Sequence, residues 1–134
     1  MAKKAEKIEQ YLIDLMVTYH EIDQDIWLLD DPDHGLEEVV IMYNDPLVIF
    51  RVQVMEAPQD RRLELFTMLL ELNASDLLHG AYGLEKDEIV LIDTLEYDGM
   101  DFAEFRATLD SFGLALVQHY PILSPYRTTS RPGG

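Results

Sequence analysis

Leu72 to Tyr97 reads LNASDLLHGAYGLEKDEIVLIDTLEY, and its reading decides the fold, because a helix ends in it and a β-hairpin follows. The helical pattern stops at Asn73-Ala74-Ser75, where short polar side chains bond nearby backbone and favour caps and turns. Leu78–Leu84 is a short segment with two glycines, Glu85-Lys86-Asp87 is a polar turn, and Glu88–Tyr97 alternates as a longer strand. Ile89, Leu91, Asp93, Leu95 and Tyr97 share one face of that strand, while Val90, Ile92, Thr94 and Glu96 share the other. Both faces are partly apolar, so the spacing predicts a strand inside a sheet rather than at its rim.

Working backward, Arg61–Leu72 places Leu65, Phe66, Leu69, Leu70 and Leu72 mostly to one side, a helix for which Asp60 is the expected cap. Before it, Leu36–Tyr43 and Leu47–Met55 flank Asn44-Asp45-Pro46, residues that favour a tight reversal and an antiparallel hairpin. In the second of these strands Val48, Phe50, Val52 and Val54 alternate with Leu47, Ile49, Arg51, Gln53 and Met55. One face is wholly apolar and the other is wetter. Glu21–Asp30, with the single Trp27, reads as a further strand. Residues 3–19 carry Ala5, Ile8, Leu12, Leu15, Met16 and Tyr19 on one helical stripe.

Working forward, Asp101 and Glu104 have the spacing of a capping box. Phe102, Phe105, Leu109, Phe112, Leu116 and Tyr120 then step by three and four as a helix expected to end before Pro121. Gly113 inside it costs on the order of 1 kcal/mol against alanine, which implies a close approach by another element or a bend. The expected fold class is α+β: a two-layer body with a five-stranded antiparallel sheet and three helices in the order α-β-β-β-α-β-β-α. Residues 1–122 form the expected single domain, and 123–134, with two of the six prolines, a mobile tail.

Twenty-six acidic residues against ten basic ones give a formal charge of −16, which repels phosphate backbones and anionic lipid surfaces. Nucleic acid and membrane are therefore excluded as expected partners. The chain has no cysteine, which rules out disulfides, thiolate zinc sites and cysteine nucleophiles and fits a reducing, cytoplasmic setting. No apolar run reaches the roughly 18 residues of a membrane-crossing helix.

Asp31, Asp33 and Gly35 faintly resemble a calcium loop, but the further ligands and the helices that flank such a loop are missing, and His34 reads as a turn residue. Asp93 with Glu96, or His79 with Asp76, could pair for acid–base work, yet 26 acids make chance pairs common. No phosphate loop or nucleophile–base motif accompanies them, so the expectation is no enzyme, no metal and no cofactor. The candidate partner-binding residues are Leu47, Ile49, Arg51, Gln53 and Met55 on one strand and Ile89 and Leu91 on another. A small-ligand or regulatory binding domain is the alternative.

The order of elements resembles the type III secretion chaperone-like fold, and the second half is similar to its YbjN and Tir-chaperone (CesT-type) branch. The residues that carry this likeness are Phe66–Asn73 (FTMLLELN), Leu78–Leu84, Glu88–Leu95 (EIVLIDTL) and Gly99–Phe112 (GMDFAEFRATLDSF). The resemblance implies a non-enzymatic, acidic, cytoplasmic homodimer that binds a polypeptide client or regulatory protein through apolar sheet surface or a strand edge. It implies no catalytic residues.

Overall fold

The computed structural model describes residues 6–127. Its elements are α1 (Glu6–Leu15), β1 (Tyr19–Asp23), β2 (Ile26–Asp31), β3 (Leu36–Asn44), β4 (Leu47–Glu56), α2 (Arg62–Ser75), β5 (Ala81–Glu85), β6 (Glu88–Glu96) and α3 (Phe102–Leu123). Single 3-10 turns at Pro32–His34 and Ser124–Tyr126 complete the chain. Three helices lie against one antiparallel sheet, so the α+β class stands.

The sheet has six strands, in the order β1-β2-β3-β4-β6-β5, rather than the expected five. The extra strand is β1, whose residues after Tyr19 are all exposed. A strand that buries almost nothing shows no alternation, and β1 is held by its pairing with β2, Tyr19↔Leu29 to Asp23↔Ile26. It takes Tyr19 from the expected first helix, which ends at Leu15 because Met16 turns to a φ of 60°. Residues 3–5 of that expected helix and 128–134 of the expected tail lie outside the described residues.

One side of the sheet carries the core. Trp27, Leu29, Val39, Ile41, Val48, Phe50, Ile89 and Leu91 bury against Ile8 and Leu12 of α1, Leu65, Leu69 and Leu72 of α2, and Phe105, Leu109 and Phe112 of α3. Phe50 sits at the centre, its ring 5.4 Å from Phe105 and 6.3 Å from Phe112. Fully burying side chains of this size contributes about 1.5–3 kcal/mol each. Lys7 fastens α1 to the loop before α3 by donating to the carbonyls of Tyr97 (2.7 Å) and Met100 (2.8 Å).

α3 begins with the expected capping box: the Asp101 carboxylate accepts from the Glu104 N–H at 2.8 Å, and Glu104 accepts from the Asp101 N–H at 3.2 Å. It does not stop before Pro121 but runs through it to Leu123. A proline inside a helix costs about 3 kcal/mol. Burial of Leu123 and then Tyr126, at 1% and 6% exposure, is of comparable size and holds the chain on course. The segment from Leu123 to Arg127 is thus packed structure rather than tail. Asp60 does not cap α2. That position is taken by Arg61 in the left-handed region, with no side-chain cap bond and its guanidinium 2.9 Å from Glu64.

Gly113 meets the 3-10 turn. A side-chain carbon there would lie 2.4 Å from the His34 carbonyl oxygen, and one on Gly35 would lie 2.9 Å from the carbonyl of Gly113. The two glycines let backbone touch backbone and pin the β2–β3 connection to α3.

Candidate partner-binding face

Among the described residues no helix covers the far side of the sheet. Register places its side chains in rows that cross the strands. One row runs His20, Leu28, Val40, Arg51, Ile92 and Ala81, and the next runs Ile26, Met42, Ile49 and Thr94. Leu47, beside Asn44 and Glu96, closes one end, and Gln53, Val90 and Gly83 continue the other. Leu28, Val40, Met42, Leu47 and Ile49 are only half-buried, since neighbours on the pleat shade each other while none of the described helices lies above them. Apolar surface in contiguous rows is what marks a contact site on a folded domain.

Polar groups frame this surface. Arg51 pairs with Glu85 of β5. Gln53 donates to Glu88 at 2.8 Å. An arginine held in place by a carboxylate at the middle of apolar rows gives the face a fixed polar anchor.

Of the seven expected contact residues, Leu47, Ile49, Arg51 and Gln53 lie together on this face. The other three do not. Ile89 and Leu91 are fully buried in the core, paired with Met55 and Val52. Met55 shares their side because β4 is bulged between Gln53 and Met55, which shifts the alternation by one residue. Leu28, Val40, Met42 and Ile92 were missed by sequence reasoning. They become neighbours of Ile49 and Arg51 only once the strand order is known.

The sheet's edges differ. On β5 the side chain of Asn73 accepts from the Tyr82 N–H at 2.8 Å and donates to the Tyr82 carbonyl at 3.2 Å, filling the place a neighbouring strand would take. The other edge, β1, is exposed and carries His20, Glu21 and Asp23.

The paired acids considered from the sequence are not brought together. Asp93 and Glu96 point to opposite faces of β6, and Asp93 accepts from the Thr94 N–H at 2.8 Å. Asp76 lies 3.3 Å from Nε2 of buried His119, whose Nδ1 is 2.7 Å from the Tyr82 hydroxyl, while the backbone of His79 bonds to the Ser111 hydroxyl. Burial, with Asp76 adding to it, pushes the Tyr82 phenol up to about 12. The chain Tyr82–His119–Asp76 joins β5, α3 and the end of α2. Asp31 is likewise structural: it accepts from the Thr18 N–H at 3.0 Å and pairs with His34 at 3.0 Å. The His34 bond holds the Asp31 carboxyl below the usual carboxylate range, and the Asp31 bond raises the His34 imidazole.

The sequence matches the family model CesT_Tir_1 over residues 1–129. The chain belongs to the CesT_Tir_1 family. No curated protein sequence matches it. Among solved structures, YbjN from E. coli is 20% identical, with a TM-score of 0.63 over 87% of this chain and 91% of that one. A chain of the heterodimeric ExoU-SpcU complex from the type III secretion system of Pseudomonas aeruginosa is 17% identical, with a TM-score of 0.71 over 88% of this chain and 98% of that one. A chain of the HopA1-SchA chaperone-effector complex is 6% identical, with a TM-score of 0.62 over 84% of this chain and 89% of that one. This CesT_Tir_1 chain therefore shares their fold.

Proposed function

We propose that this chain is a non-enzymatic polypeptide-binding module whose uncovered sheet face receives an apolar segment of its client. The observation that carries the reading is the pair of half-buried rows centred on Val40, Met42, Ile49 and Arg51, with no helix among the described residues above them. Structural neighbours described as a chaperone-effector complex and as ExoU-SpcU support a polypeptide partner. Binding would lay client side chains between the rows while Arg51 fixes a carboxylate or carbonyl of the client. Because Asn73 occupies the middle of the β5 edge, the face rather than that edge is the docking surface.

In this reading the module works as a cytoplasmic homodimer. α2 supports that assignment, because it is apolar on two sides: beyond Leu65, Leu69 and Leu72 in the core, it exposes Leu63 and Leu70 at 82% and 68%. Leu78 and Leu84 extend the exposed side toward β5. Light scattering after size exclusion checks the assembly, with a monomer as the refuting result.

The test of the face compares wild-type protein with Ile49→Glu in capture from native lysate, read by mass spectrometry, with circular dichroism to verify folding. Specific polypeptides retained by the wild type and lost by the folded variant are expected. Equal retention by both, or none by the wild type, overturns the reading.

A further inference from the structure

The sheet parts at one end. Pairing between β3 and β4 runs from Asn44↔Leu47 to Val39↔Val52 and stops there. Below that point β3 stays with β2, at Asp31↔Leu36, and β4 stays with β6 as far as Glu56↔Glu88. Glu38, at a φ of 55°, turns β3 away just past the last pair. A hollow opens on each side of the split, about 340 Å³ on the outer face and about 580 Å³ on the helix side, and both are lined by Glu38, Gln53 and Val54.

The larger hollow has an apolar wall of Leu116, Val117 and Tyr120 on α3 and an acidic rim of Glu37 and Glu38. Val117 and Tyr120 are 62% and 57% exposed. Among the described residues neither rim carboxylate is in an ion pair. Arg127 lies in it. Its guanidinium carbon is 5.1 Å from the centre of the Tyr120 ring, and Nη1 donates at 3.1 Å to the Val54 carbonyl, beyond the last β3–β4 pair. Its Nε is buried with no hydrogen-bond partner. The hollow thus offers a flat ring, a carbonyl outside the β3–β4 ladder and two carboxylates, a set that suits a planar guanidinium better than a compact ammonium. The resident arginine satisfies only part of it.

We propose that this hollow recognises an arginine side chain of a partner polypeptide, and that the chain's own Arg127 is a resident occupant which the incoming arginine displaces. The exchange replaces one guanidinium with another at Tyr120 and Val54. Net binding then comes from what Arg127 leaves unused: the Glu37 and Glu38 carboxylates, and the Leu116–Val117 wall for apolar residues flanking the partner's arginine. A net charge of −16 draws such a cationic segment in. Glu38, Gln53 and Val54 border both hollows, but Glu37, Val117, Tyr120 and Arg127 line only the helix-side one and Ile49 lines neither, so a substitution at Ile49 leaves the arginine site intact.

The experiment uses the full chain and a short labelled peptide with one arginine between leucine and valine residues, read by fluorescence anisotropy. Arg127→Ala, with its urea midpoint measured to verify folding, is expected to bind the peptide on the order of tenfold more tightly, since the open form no longer has to be populated. The same peptide with citrulline in place of arginine is expected to lose on the order of tenfold, as is Glu37→Gln/Glu38→Gln protein toward the arginine peptide. Ile49→Glu should bind as wild type does. Unchanged affinity in Arg127→Ala, or equal binding of the citrulline peptide, overturns the proposal without touching the protein's other face. Arginine amide binding as tightly as the peptide would overturn the assignment of a polypeptide.

Discussion

Replacing Gly113 with alanine should destabilise the protein, the reverse of what helix propensity alone dictates. In an open helix interior the change contributes about 1 kcal/mol of stability. Here the new methyl would stand 2.4 Å from the His34 carbonyl oxygen and 3.7 Å from Leu36 Cδ2. Ordinary contact requires about 1 Å more, and the obstacle is backbone. That backbone cannot swing aside freely, because Gly35 approaches the Gly113 carbonyl from the opposite direction and His34 is tied to Asp31. Overpacking of this kind costs roughly 3 kcal/mol, so the net loss is about 2 kcal/mol. With a urea slope of about 2 kcal/mol per molar for a domain of this size, the midpoint should fall by about 1 M. Gly99→Ala is the control, since nothing lies within 4 Å of its added carbon, and its midpoint should move by no more than about 0.5 kcal/mol of stability. A Gly113→Ala midpoint equal to or above wild type would refute the reasoning.

Tyr82→Phe removes the partner of buried His119 Nδ1 and should cost about 1–3 kcal/mol by urea titration, with loss of a phenol that ionises at about 12 in an ultraviolet pH scan. The Asp31–His34 pair predicts a pH window. The lowered Asp31 contributes stability that is complete above the unfolded carboxylate range and lost as pH falls through its folded value. The raised His34 contributes stability that is complete below about 6.5 and lost as pH rises through its folded value. Asp31→Asn should therefore lower the melting temperature most between about pH 4 and 6.5, and a uniform offset across pH would contradict this. Asp101→Ala breaks the capping box of α3 and should cost about 1 kcal/mol in urea unfolding.

Most of the fold was legible because most elements carry their own signal. The β3–β4 hairpin shows itself by alternation and Asp45-Pro46, α3 by its phenylalanine spacing and Asp101–Glu104, and Gly113 by being a glycine where none was needed locally. What could not be read depends on partners distant in sequence. β1 exists through β2, and α3 outlasts Pro121 because Leu123 and Tyr126 find core. The face was half legible for the same reason. Leu47, Ile49, Arg51 and Gln53 follow from period two along β4, but a one-residue bulge carries Met55 inward, and Ile89 and Leu91 face the helices because β6 lies beside β4. Glu37, Glu38 and Arg127 carried no local signal at all, being joined only where the β3–β4 ladder ends.

A protein that leaves a greasy pleated surface open risks stacking with copies of itself into fibrils. The Asn73 amide, spent on both backbone groups of Tyr82, seals one margin, and the acids on β1 repel their equivalents at the other. Growth strand by strand is disfavoured at both ends, which leaves the open surface available for the client that the proposed function requires.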